Sequence, residues 1–179
     1  MPILQNVEIH YIHLDPKRPN ATFNKANPTW EIQIRTRDKA QKKEWEAMGI
    51  RVKIEEPDDA PLFYKANLNK KSLTQQKSEA NPNPEMADPV TVVDGKRNPI
   101  DPNTIGNGSI ANIRVFQRDH YSDPDKKVCI LMGVQVTKLV KYVPKPRGFD
   151  DEFGETETVV VETEAPENND IDSYDEVAF

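Results

Sequence analysis

The side chains with the most chemical potential in this sequence are cations set beside aromatic rings. In "IANIRVFQR", residues 110–118, alternation puts Ala111, Ile113 and Val115 on one face and Asn112, Arg114 and Phe116 on the other. A guanidinium thus sits beside a ring on a face the core does not require, and Arg118, His120 and Tyr121 continue the pattern at its end. Single-stranded nucleic acid is held by this pairing, with bases stacked on rings for about 1–3 kcal/mol each and phosphates tracked by cations. Two further stretches have the same character: "DPKRPNATFNK" at 15–25, with Lys17, Arg18 and Lys25, and "FYK" at 63–65, with Tyr64. Core packing is the competing reading for each of these rings.

Other chemistries lack their residues. No Gly-rich phosphate loop, nucleophile elbow, zinc-protease helix or thiol motif occurs. A single cysteine, Cys129, excludes an intramolecular disulfide, and His10, His13 and His120 are not spaced as a zinc site. The "GNG" of residues 106–108 precedes an apolar strand and reads as a turn. Asp58 and Asp59 could hold Mg²⁺ as a nuclease would need, but Pro57 and Pro61 flank them and no second acidic cluster is near, so a solvated loop is the simpler reading. The chain is expected to be non-enzymatic, without cofactor or metal.

The elements that must carry the basic and aromatic residues are mainly strands. "VEIHYIHL" places Val7, Ile9 and Tyr11 on one face, and "WEIQIRT" alternates Trp30, Ile32 and Ile34 against Glu31, Gln33 and Arg35. "IRVKIEE" repeats this, with Ile50, Val52 and Ile54 inward and Arg51 and Lys53 outward, so Arg35 and Lys53 join the candidate DNA-contacting residues. Between them, "DKAQKKEWEAMG" has Asp38 and Gln41 in capping-box spacing, a stripe of Gln41, Trp45 and Met48, and Gly49 as a stop, which predicts a short helix. "PLFYKANLN" is a weaker strand, residues 69–89 a polar loop, and "PVTVVDGKRNPI" a strand with an Asp94-Gly95 turn. "IANIRVF" and "VCILMGVQVTKLVKYV" form a long hairpin expected at the centre of the sheet. About seven short strands and one helix, without a βαβ rhythm, predict a small antiparallel barrel or sandwich.

Charge divides the chain. Residues 1–148 hold all 24 Lys and Arg against 18 acids, a net of +6, whereas 149–179 hold the other 12 acids and no base. The expected organisation is a folded domain at 1–148 and a disordered acidic tail at 149–179, in which "TVVVET" could still add an edge strand. The tail closes on "DSYDEVAF", where Asp172, Tyr174, Asp175, Glu176 and Phe179 make an acidic run ending in a ring and the terminal carboxylate, features that suit docking into a partner's basic-rimmed pocket. No apolar run approaches a membrane span, and "MPILQNVEIHYIHLD" has no export signal, so a cytoplasmic, membrane-free protein is expected.

A β-rich basic body, a long acidic tail and a terminal Phe resemble the bacteriophage single-stranded DNA-binding proteins of the replication type. "NPTWEIQI" is similar to that family's Asn-Pro leading into its first long strand, and "IGNGSIANIRVFQRDHY" followed by "VCILMGVQVTKLVKY" is similar to its turn and paired long strands. The resemblance implies an OB-fold body, DNA contacts at Arg114, Phe116, Arg118 and Tyr121, and action in replication and recombination in the host cell cytoplasm. It also implies a tail that recruits replication proteins, polymerase and helicase-primase, through Phe179 and competes with DNA. The Pro-rich 82–89 loop and the "VVV" run depart from the family pattern and leave tail-exchanged homodimers open. The rival reading is a protein-interaction or DNA-mimic module whose active surface is the acidic tail.

Deleting residues 149–179 is expected to tighten single-stranded DNA binding, because 12 acids on a segment with a root-mean-square reach of about 30 Å compete with phosphates for the body. The gain should shrink as salt rises. Equal oligo(dT) affinity for full-length and truncated chains at low salt would count against this.

Overall fold

The computed structural model describes residues 1–144, and a first compact unit spans Met1–Val143. Seven strands form one sheet: β1 (Ile3–His13), β2 (Thr29–Thr36), β3 (Lys53–Glu55), β4 (Phe63–Lys71), β5 (Thr91–Asp94), β6 (Ser109–Asp119) and β7 (Lys127–Lys138), with one helix, α1 (Lys39–Ala47). Their order is β3-β4-β2-β1-β6-β7-β5. The sheet curls so that β4 and β7 approach each other, and the five long strands thereby make an OB-fold-like barrel. The tail, including "TVVVET", the 148/149 boundary and Asp172, Tyr174, Asp175, Glu176 and Phe179, lies outside the described residues.

The barrel interior is built by alternation. Leu4, Val7 and Ile9, Trp30, Ile32 and Ile34, Ala66 and Leu68, Ala111, Ile113 and Val115, and Leu131, Val134 and Val136 form one buried cluster. Trp30 satisfies its indole by donating from Nε1 to the Asp15 carbonyl at 3.0 Å, which also fixes where the β1–β2 loop begins.

Strand β1 breaks alternation twice. Its register against β6 shifts between Leu4 and Val7, and against β2 between His10 and His13. In each interval one residue has a left-handed backbone, Asn6 at φ 53 and Tyr11 at φ 48. Each N–H is accepted by an asparagine side chain: Asn6 by Asn112 Oδ1 at 3.1 Å, Tyr11 by Asn107 Oδ1 at 2.7 Å. The second bulge corrects the expectation that Tyr11 faces inward. Ile12 packs on the core in its place, and Tyr11 is 56% exposed.

Other expectations also change. The β6–β7 hairpin forms, but β1 occupies the middle of the sheet because it pairs with both β2 and β6. The sheet is not wholly antiparallel, since β5 runs parallel to β7. "IRVKIEE" contributes only Lys53–Glu55, and Ile54 is exposed because β3 is an edge strand with Ile54 opposite Tyr64 on the side away from β2.

Helix α1 is capped by Asp38, which accepts from the Ala40 N–H at 2.9 Å; Gln41 reaches instead to the Gln5 carbonyl, so the expected capping box is half formed. Trp45 is buried and Met48 packs on the core. Gly49 ends the helix at φ +87, with the Ile50 N–H returning to the Trp45 carbonyl at 3.0 Å. A Cβ at Gly49 would lie 2.6 Å from the Lys127 carbonyl oxygen. Gly49→Ala is therefore expected to cost about 2 kcal/mol or more, read as a lower urea midpoint, since it adds left-handed strain to a backbone clash. An unchanged midpoint would contradict this close approach.

Candidate nucleic-acid interface

The outer face of the barrel carries a transverse row of paired positions. Glu8 on β1 lies opposite Arg35 on β2, Arg35 opposite Lys65 on β4, and Lys65 opposite Lys53 on β3. Three of the four are cationic. Because Glu8, Arg35 and Lys65 each alternate with buried neighbours, the barrel core fixes the direction in which these three point.

Two rings flank the centre of this row. The Arg35 guanidinium carbon lies 4.6 Å from the Phe63 ring centroid and 5.6 Å from that of Tyr11, so β1 and β4 each place an aromatic beside the cation of β2. Gln33 Oε1 accepts from Arg35 Nε at 2.7 Å and fixes the guanidinium. Phe63 is there by strand parity, whereas Tyr11 is there because its bulge turns the side chain outward. His10 joins the cluster with its ring tilted 6.3 Å from that of Tyr11, and its Nε2 is 2.5 Å from a Glu8 carboxylate oxygen. Lys65 hydrogen-bonds Glu55, which holds the Glu55 carboxyl below its usual range, so Glu55 stays ionised at neutral pH and competes with phosphate for that lysine.

The β1–β2 loop, which follows His13, adds further charge. Asp15 accepts from the Lys17 N–H at 3.0 Å and from Asn103 Nδ2 at 3.0 Å, and these bonds, with the nearby Arg18 and Lys17 charges, hold its carboxyl below the usual range. Lys17 and Arg18 are exposed beside it. Arg35 and Lys53 thus share one transverse row, and Lys17 and Arg18 stand in the loop that follows β1 past Tyr11. Lys25 is exposed further along that loop, next to where Ala26 bonds Lys77.

Arg114, Phe116 and Arg118 form a second group. Arg114 and Phe116 face outward on β6, with Ile3 opposite Arg114 and Ile130 opposite Phe116. The Glu8 of the transverse row pairs with Ile110, four positions from Arg114, which separates the two groups by about 13 Å along the strand. Arg118 borders a shallow cavity of about 310 Å³ with Lys70 and Lys71, and Tyr121 stands 96% exposed in the β6–β7 turn.

Tyr64 is a correction. It is only 5% exposed, its ring faces the interior beside the Lys42 ammonium at 5.2 Å, and no base can reach it. Its parity with buried Ala66 and Leu68 in "FYKANL" was the signal that it is core and that Phe63 and Lys65 are the half-buried pair on the outer face. Tyr11 had no comparable signal, because strict alternation assigns it to the interior.

Tyr11→Gly should weaken oligo(dT) binding by about 1–3 kcal/mol while leaving stability within about 1 kcal/mol, since glycine accepts the left-handed backbone that tyrosine strains to hold. Phe63→Ala should show the same split. Tyr64→Ala should behave oppositely, losing about 3 kcal/mol of stability in urea denaturation as a core truncation. Equal binding losses in all three variants, tracking their stability, would reduce the rings to packing.

No family model matches the sequence, and no curated protein sequence matches it. Among solved structures, the chain is similar to the single-stranded DNA-binding protein from bacteriophage Enc34 in complex with ssDNA, at TM-score 0.46 and 17% identity over 82% of this chain and 88% of that one. The Enc34 protein on its own gives TM-score 0.43 and 15% identity, covering 84% of this chain and 87% of that one. The single-stranded DNA-binding protein gp2.5 encoded by bacteriophage T7 gives TM-score 0.46 and 14% identity, covering 87% of this chain and 99% of that one. These are loose likenesses to phage single-stranded DNA-binding proteins over most of the chain.

Proposed function

We propose that this chain is a sequence-tolerant, non-enzymatic single-stranded DNA-binding protein of phage replication and recombination, working in the host cytoplasm, whose acidic tail competes with DNA and recruits replication proteins. The observation that carries the binding reading is Arg35 held between the Tyr11 and Phe63 rings on the outer face of the barrel, in line with Lys53 and Lys65. Exposed rings give bases a stacking surface whatever their identity, and flanking cations neutralise the phosphates that follow. A double helix hides its base faces, so a ring-and-cation row favours the single strand. The recruitment reading is supported by the sequence of the tail: a strongly acidic run that ends on an aromatic with its α-carboxylate. Among the described residues no group of three or more His, Cys, Asp or Glu is placed to hold a metal ion, and no helix is long and apolar enough to cross a membrane.

The test is a fluorescence-anisotropy titration of the full-length chain with labelled oligo(dT) over a range of salt. Binding should weaken with salt, and Lys53→Ala should lower the slope of log K against log[salt] by about 0.7, the loss of one phosphate contact on a single strand. Absence of binding at low salt, for both the full chain and a chain lacking 149–179, would overturn the proposal in favour of a module that acts through its acidic tail.

A further inference from the structure

Beyond Tyr11 the outer face opens into a cavity of about 350 Å³, lined by Tyr11, His13, Asn103, Ile105, Asn107 and Tyr142 among others. It lies where the end of β1, the segment before β6 and the chain after β7 meet. The Tyr142 N–H donates to the Thr104 carbonyl at 2.9 Å, and Ile105 bridges Lys141, so the tyrosine is strapped beside the loop while its side chain stays 58% exposed.

Both asparagines are fixed in orientation by partners that leave no choice of flip. Asn107 must present Oδ1 to the Tyr11 N–H, and Asn103 must present Nδ2 to the Asp15 carboxylate. Asp15 is held ionised by its own hydrogen bonds, so it remains an acceptor. Asn107 Nδ2 and Asn103 Oδ1 then have no hydrogen-bond partner among the described residues. The cavity wall therefore offers one amide donor and one amide acceptor between two tyrosines, in the lower part of the size range of small-ligand sites.

We infer that this cavity is a nucleobase pocket, in which one base of the bound strand enters beside Tyr11 and Tyr142 and has its Watson–Crick edge gripped by Asn103 and Asn107. Every base carries at least one donor and one acceptor on that edge, so an amide pair can hold any of them while still rejecting a blocked edge. The inference rests on the single-stranded DNA reading above and adds edge recognition at one nucleotide to a surface that otherwise stacks. It also gives Asn107 two roles, holding the Tyr11 bulge through Oδ1 and the base through Nδ2.

The experiment compares oligo(dT) with the same oligonucleotide built from N3-methylthymidine, using the full-length chain. Methylation removes the N3–H donor and blocks the edge but leaves the stacking face and the phosphates in place. The wild type should bind the methylated strand at least about fivefold more weakly. Asn103→Ala removes the oxygen that accepts the base N3–H, and Tyr142→Ala removes one wall; in both, the ratio between the two strands should fall toward one. Equal binding of both strands by the wild type would overturn the pocket and leave the single-stranded DNA reading standing. A ratio that survives both substitutions would place edge recognition elsewhere and overturn the assignment. Failure to bind unmodified oligo(dT) would overturn the functional reading and the pocket with it.

Discussion

A strand at the centre of a small barrel must turn sharply while pairing on both sides, and β1 meets that demand by giving up register twice. Each bulge strands one N–H outside the ladder on a residue with positive φ. Asn112 and Asn107 supply the missing acceptors from β6 and from the loop before it, and so hold each bulge in one geometry. The bulges are thus paid for by the same neighbouring chain that β1 pairs with. Without the second one, alternation would turn Tyr11 inward, to the face where Ile12 packs on the core instead.

The exposed row depends on this arrangement electrostatically as well as sterically. Arg35 has rings on two sides and Gln33 on its Nε, so its guanidinium is positioned before any ligand arrives. Positioning in advance lowers the ordering entropy that a long side chain otherwise loses on binding. Glu8 within the row and Glu55 beside it moderate it: Glu8 contacts His10 and Glu55 pairs with Lys65, and so they temper the local positive field without abolishing it. A surface of this kind holds polyanions while discouraging indiscriminate adhesion.

Much of this was legible in the sequence. The β2 alternation of Trp30, Ile32 and Ile34 against Arg35, the Asp38 cap, the Gly49 stop and the outward placement of Arg114 and Phe116 all follow from period and capping chemistry, because each is decided within a few residues. The errors arose where a distant element decided. Tyr11 depended on Asn107, 96 positions away, and β1 took the middle of the sheet because it alone pairs with both β2 and β6. Tyr64 was a local error: its alternation with Ala66 and Leu68 already placed it inside. The rings that make the row had to be found from pairing, since a stacking ring and a core ring look alike in sequence.

The barrel closes without a ladder. β3 pairs with β4 only over Phe63–Lys65 and β5 with β7 only over Gly133–Val136, so the rest of β4 and the start of β7 face each other across a gap. The end of α1 fills part of it: the Met48 carbonyl accepts from Gln117 Nε2 at 2.9 Å and from the Cys129 thiol at 3.2 Å. A seam joined by side chains resists shear far less than one joined by consecutive backbone bonds, and this seam lies across the barrel from β1. A load on the outer face would therefore be relieved most easily at the far side, between β4 and β7, as in a split ring rather than a closed hoop.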